Sequence, residues 1–190
     1  MISFTSGGAA GADYHFAVNA IKAGCKAEIM SFHGHNASVP PGAALILLSE
    51  AALAGTDEDL ALASRKMVRR LPAPGSYARK LIQRNHAIVR HARAVYAVGK
   101  FVDPAIAHSL GIDGGTAWGC ELFEMSDEYN LQLPLFFFDM GTNKWHMRER
   151  QKWVPLWGSP PHPCGFTSFA GIGSRDITPE GVAAIEALFA

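Results

Sequence analysis

Phe169-Ala-Gly-Ile-Gly-Ser-Arg175, followed by Thr178-Pro179 and a helical run to Ala190, has a counterpart at the other end of the chain in Met1-Ile-Ser-Phe-Thr-Ser-Gly-Gly-Ala-Ala-Gly-Ala-Asp13. Each reads as a short apolar strand that breaks into small residues and then opens a helix. In that arrangement backbone N–H groups and a helix N-terminus are placed to hold a phosphate. A third stretch of the same kind, Asp113-Gly-Gly-Thr-Ala-Trp-Gly-Cys-Glu121, lies between them. Three such turns in one small chain predict an α/β fold built around a phosphate-bearing ligand. A plainer reading stands beside it, in which the glycines only permit tight turns and close helix packing.

Outward from these stretches the elements alternate. Ile2–Thr5 reads as a strand, Gly11–Ala23 as a helix stopped by Gly24, and Ala27–Phe32 as the next strand, a parallel unit. His33-Gly-His35-Asn36 follows that strand; with no third ligand nearby it reads as polar lining at the mouth of a crevice, not as a metal site. After the turn Val39–Gly42, Leu45–Leu48 fits either an extended or a helical segment. Ser49 and Thr56 read as N-caps, and a helix from Thr56 to Arg70 is closed by Leu71-Pro-Ala-Pro-Gly75. Ser76–His91 reads as a helix with Tyr77, Leu81, Ile82, Ile88 and Val89 on its buried side. Ala94–Val98 and Leu133–Phe138 are apolar throughout, as strands covered on both faces are. Between them Gly99–Ile112 reads as a loop and Gly114-Gly115-Thr116 as a helix start. Asp139–Leu156, with Trp145 and Trp153 around a charged run, predicts an antiparallel hairpin appended at about residues 139–157. Pro160, Pro161 and Pro163 stiffen the way into the last strand, Phe166–Ile172.

The 190 residues fit one domain, with 48% apolar and 18% charged residues and 17 Lys plus Arg against 17 Asp plus Glu. That balance gives no general attraction to a phosphate backbone and argues against nucleic acid as the partner. Most of the basic residues between Arg65 and Arg93 read as a solvated helix face. Cys25, Cys120 and Cys164 are far apart in sequence and in no metal spacing, which favours reduced thiols in a cytoplasmic setting. The apolar runs are too short to span a bilayer, and no basic-then-apolar leader opens the chain. The chain opens within a strand and stops within a helix, which predicts neighbouring ends and a circularly permuted order.

These motifs together, Ser6-Gly-Gly-Ala-Ala-Gly-Ala-Asp13, Leu81-Ile-Gln-Arg-Asn85, Gly114-Gly115-Thr116 and Phe169-Ala-Gly-Ile-Gly-Ser-Arg175, resemble a Rossmann-like superfamily. It joins the cytokinin-activating LOG phosphoribohydrolases, the DprA-type DNA-processing proteins and the SLOG nucleotide-sensor domains. The order is similar to that of a permuted group found in bacteriophages and bacteria, with the Gly-Ile-Gly-Ser-Arg unit moved to the end. The resemblance implies a three-layer sandwich with about five mostly parallel strands, a homodimer or higher homo-oligomer for which the aromatic hairpin offers an interface, and a nucleotide in the crevice at the strand ends. It also implies which residues hold that ligand: Ser6, Gly7, Gly8 and Asp13 in one loop, Arg84 and Asn85 on a helix, Gly114, Gly115 and Thr116 at the phosphate, and Gly173, Ser174 and Arg175 in the last loop. No metal or cofactor is expected.

The hydrolytic relatives carry Gly-Gly-x-Gly-Thr-x-x-Glu, and here the third residue after Thr116 is Gly119. Glu121 is two positions further on, a rotation of roughly 200° about a helix. The expectation is therefore a protein that binds a phosphorylated nucleoside, an ADP-ribose-like molecule or a cyclic nucleotide as a sensor or sequestering module, a sponge for a defence signal in a phage setting. Two alternatives remain. One is a nucleoside 5′-monophosphate N-glycosidase with Glu121, Asp13 or Asp113 as its acid, and the other is a DprA-like single-stranded DNA partner.

Overall fold

The computed structural model describes residues 1–102, 110–126 and 133–190. In chain order the elements are β1 (Ser3–Ser6), α1 (Ala12–Lys22), β2 (Lys26–Phe32), β3 (Ala44–Leu48), α2 (Glu50–Ala54), α3 (Asp57–Met67), α4 (Tyr77–Val89), β4 (Val95–Gly99), α5 (Thr116–Ser126), β5 (Leu135–Asp139), β6 (Lys144–Glu149), β7 (Lys152–Pro155), β8 (Ser168–Gly173) and α6 (Pro179–Ala187). All strands join one sheet in the order β3-β2-β1-β8-β4-β5-β6-β7. The first six of that order are parallel, and β6 and β7 continue the sheet antiparallel.

Among the described residues eight strands replace the five or so expected, for two reasons. Ala44–Leu48 is extended and pairs with β2; a short apolar run has no periodicity that separates strand from helix. The expected antiparallel hairpin is attached to the sheet and adds two strands to it, since Phe136, Phe137 and Phe138 pair with Met147, His146 and Trp145. Two of its tryptophans face inward, while Trp157 at its end is fully exposed. Trp145 is buried against Phe138 and Tyr96, and Trp153 donates its indole N–H to the Leu110 carbonyl at 2.7 Å.

The expected pairing of the first and last strands holds, with Ser3, Phe4 and Thr5 opposite Ser168, Phe169 and Ala170. Strand residues alternate between two cores. Val95, Ala97, Leu135 and Phe137 face Ile88, Trp118 and Phe123 under α3, α4 and α5. Tyr96, Val98, Phe136 and Phe138 face Phe4, Phe16, Phe169 and Ile185 under α1 and α6. Each fully buried phenylalanine contributes about 1.5–3 kcal/mol of transfer free energy. Among the described residues no helix is long and apolar enough to cross a membrane.

Caps follow the sequence with one exception. The hydroxyls of Ser49, Ser76 and Thr178 accept N–H groups of Ala52, Arg79 and Gly181 at 3.1–3.2 Å. Thr56 instead donates its hydroxyl to Leu53 O at 2.8 Å, because α2 ends at Ala54, two residues before it. Helix α3 stops earlier than expected, at Val68, whose φ of 52° is left-handed. The loop expected over Gly99–Ile112 lies in part outside the described residues.

This topology places the site. β1, β2 and β3 step outward to one edge of the sheet, and α4 then brings the chain back to β4 on the far side of β8. Where the two series part, the carboxyl ends of β1, β8 and β4 leave a crevice, the position at which open α/β sheets bind ligands.

Candidate functional site

A cavity of about 470 Å³ occupies that crevice, within the ~300–1,000 Å³ range of small-molecule sites. It brings together Asp13, Arg84, Asn85, the Gly114–Thr116 turn and the Gly173–Arg175 loop, from four separate parts of the chain.

One end is the N-terminus of α5. Gly114 has φ 66°, a conformation only glycine adopts without strain, and it turns the chain from Asp113 into the helix. The turn is held from three sides. Asp113 Oδ1 accepts the Gly114 N–H at 2.7 Å, Arg69 Nη1 donates to Gly114 O at 2.7 Å, and Asn85 Nδ2 donates to Gly115 O at 3.1 Å. The first N–H groups of a helix have no intrahelical acceptor and concentrate partial positive charge. Among the described residues nothing lies within 4 Å of a Cβ built on Gly115, which leaves room in front of this terminus.

The other end is a charged cluster. Arg84 is 6% exposed and donates from Nη1 to Gly7 O at 2.6 Å and to His35 Nε2 at 3.2 Å, while its Nε has no hydrogen-bond partner among the described residues. An arginine only donates, so His35 accepts at Nε2 and its Nδ1 carries the hydrogen shared with Ser31 Oγ at 2.9 Å. Partial burial, with the Arg84 and Arg175 guanidinium groups nearby, lowers the His35 pKa to about 4. The ring is therefore neutral at physiological pH.

Asp13 is 3% exposed, and its two oxygens accept the N–H groups of Gly173 at 2.9 Å and Ala9 at 3.2 Å. Burial raises its pKa above the usual carboxylate range, against the pull of Arg84 and the backbone donors. Burial likewise lowers that of Arg84, with Asp13 opposing. Asp13 thus joins the α1 turn to the β8 loop. That loop also sits close to β4, as a Cβ on Gly173 would lie 2.5 Å from Val98 O. Ser174 is held by its N–H to Val98 O at 2.8 Å, and its hydroxyl is shared with the Asp176 backbone. Arg175 is exposed at the rim.

Four expected residues are elsewhere. Ser6, Gly7 and Gly8 are buried and do not line the cavity. Ser6 donates its hydroxyl to Gly171 O at 2.6 Å, and a Cβ on Gly7 would meet the Arg84 guanidinium at 2.5 Å. Glu121 lies on another side of α5, 3.7 Å from Lys66 Nζ and beside a separate cleft with Arg148. At Gly119, the third residue after Thr116, a Cβ would lie 2.6 Å from Ile172 Cδ1 and 3.9 Å from Asn85 Nδ2, two residues of the cavity wall. Gly119 and Glu121 thus stand on different sides of α5.

The sequence placed His35 at the mouth but missed Lys100 and Met140, which also line the cavity. Both directly follow parallel strands, and the rule for strand ends was the signal that would have found them. Among the described residues no three His, Cys, Asp or Glu side chains are grouped to hold a metal.

The fold and cavity together define the class: an open, mostly parallel α/β sheet with a polar crevice at its strand ends, one wall of which is a helix N-terminus. The chain matches no protein-family profile, no curated protein and no solved structure, so everything finer rests on the site itself.

Proposed function

We propose that this chain is a Rossmann-like nucleotide-binding protein that holds a phosphorylated nucleoside or an ADP-ribose-like molecule as a sensor or sequestering module and returns it unchanged. The observation that carries the reading is the open N-terminus of α5 at Gly115, facing the same cavity as Arg84 and Arg175. Donors fixed before the ligand arrives hold a phosphate without a metal. The resemblance of the glycine motifs to those of the LOG and SLOG proteins supports the same assignment.

The reading of binding without cleavage is supported by the carboxylates. Loss of a base from ribose develops positive charge on the sugar and needs a carboxylate fixed beside it. Gly119 supplies none, and Glu121 lies outside the cavity. Both Asp13 oxygens already accept backbone N–H groups, Asp113 Oδ1 holds Gly114, and Asp176, which also lines the cavity, is exposed at its rim.

Thermal melts with AMP and ADP-ribose test the proposal. A ligand that binds only the folded state raises Tm with concentration, and chromatography after prolonged incubation should recover it intact. Native mass spectrometry of freshly purified protein should reveal a bound nucleotide. No Tm response to either compound and no co-purified nucleotide would count against nucleotide binding. Release of free base in proportion to protein, abolished by Asp13→Asn or Asp113→Asn, would establish the hydrolase instead.

A further inference from the structure

At the end of the sheet opposite the cavity, two cysteines 139 residues apart in sequence are in contact, with Cys25 Sγ and Cys164 Sγ separated by 3.4 Å. Cys25 ends the turn between α1 and β2. Cys164 lies in the 3-10 turn Pro163–Gly165 that leads into β8. Because β2, β1 and β8 are consecutive in the sheet, these two segments enter it close together.

Both backbones are pinned. The N–H groups of Gly24 and Cys25 donate to Ile21 O and Ala20 O at 2.9 Å. The N–H of Cys164 donates to His162 Nδ1 at 3.1 Å, and that of Gly165 to His162 O at 2.9 Å. Pro160, Pro161 and Pro163 further restrict the second segment. The contact is therefore between two held thiols. To bond, the sulfurs close from 3.4 Å to about 2.05 Å, a movement within reach of side-chain rotation and small backbone adjustment.

We propose that Cys25 and Cys164 form a disulfide that staples the α1–β2 turn to the connector before β8, with a low-molecular-weight disulfide as the oxidant. The half-buried Cys164 reacts first. Its thiolate attacks one sulfur of oxidised glutathione and releases one glutathione thiolate. Cys25, 8% exposed, then gives its proton to solvent, and its thiolate attacks Cys164 Sγ and releases the second glutathione. The pair loses two protons and two electrons, and the reagent is reduced to two thiols. Burial and the adjacent Cys164 push the Cys25 thiol up to about 12, in keeping with its place as the second thiol to react. Closing so long a loop restricts the unfolded chain far more than the folded one. The staple leaves the cavity open, because the site is formed at the other ends of the same strands.

The test uses the full chain, reduced and then incubated with oxidised glutathione, followed by acid quench, alkylation under unfolding conditions, intact mass and peptide mapping. The expected product has lost two hydrogens, retains one alkylatable thiol at Cys120, yields a linked Cys25–Cys164 peptide pair and melts about 5–10 °C above the reduced protein. Cys120→Ser, changed in the other core, should give the same cross-link. Cys164→Ser should abolish both the cross-link and the oxidant-dependent rise in Tm. Three alkylatable thiols after oxidation, a lasting glutathione adduct on Cys164, or a link between two chains would overturn the proposal. A Cys25–Cys164 bond that leaves Tm unchanged would overturn the staple.

Discussion

Helices α4 and α5 pack side by side on one face of the sheet and both reach the cavity, but in opposite ways. Helix α5 buries every residue from Thr116 to Phe123 and offers the site its end, a row of backbone N–H groups. Helix α4 offers its side. It buries Arg79, Gln83, Arg84 and Asn85, while Tyr77 is 48% exposed. Arg79 and Gln83 converge on Asp57, Arg84 reaches Gly7, and Asn85 holds the turn that starts α5. One helix thus supplies binding geometry through its backbone, and the other keeps that geometry in place through buried side chains. Damage to α4 should appear first as lost stability, and damage to the start of α5 as lost binding.

The largest expected effect is on α4. Arg84→Met leaves Gly7 O without its donor and Asp13 without its neighbouring cation, a change expected to cost about 3 kcal/mol in urea unfolding. Adding Asp13→Asn should recover part of that loss, because the two groups are coupled. A single-variant loss under about 0.5 kcal/mol would break the contrast.

Gly115→Asp tests the other half. Its side chain enters open space, so stability should stay within about 0.5 kcal/mol of the parent. The carboxylate fills the place given to phosphate and repels it, and affinity for whichever nucleotide binds the parent should fall at least about 30-fold by calorimetry. Unchanged affinity would show that the helix terminus is not the phosphate site.

His35 sharpens the contrast through pH. Its folded pKa of about 4 lies below the ordinary value of 6.5, so the folded state favours the neutral ring. The associated stability is present above about pH 6.5 and is lost as pH falls from there through about 4. His35→Gln keeps an acceptor for Arg84 but does not titrate. The parent should therefore lose stability relative to this variant over that window, and parallel curves would remove His35 from the cluster.

The smallest effect is expected at Asn85, where the two helices are linked. Asn85→Ala removes one hydrogen bond to Gly115 O, worth about 0.5–1.5 kcal/mol. It should also weaken nucleotide binding modestly, because the turn loses one of its three supports.

Much of the architecture was legible locally. The fully apolar runs that became β4 and β5, the glycine-terminated first strand and the Thr178-Pro179 helix start followed from propensity, caps and turn chemistry, while the side-by-side placement of the first and last strands was expected from the permuted order that the resemblance implies. The site was legible where backbone forms it, at Gly114–Thr116 and Gly173–Arg175, because glycines before a helix announce an open N-terminus.

Other parts lacked a local signal. An apolar-face reading of Ser76–His91 selects Tyr77 and Leu81 for burial, and it placed Arg79 with the solvated basic face. In the fold Arg79 is buried, because its partner Asp57 stands 22 residues earlier in the chain. Arg84 is buried because Gly7 O, 77 residues away, lies where its guanidinium ends. The sequence by itself determined the alternation of strands and helices and the three glycine turns, since these depend on neighbouring residues. Only the tertiary structure decided that Ala44–Leu48 extends the sheet, that Ser6 to Gly8 stand behind the cavity wall, that Glu121 faces away from it, and that Cys25 meets Cys164. The reason is physical: a contact between residues distant in the chain depends on the sheet order and register that bring them together.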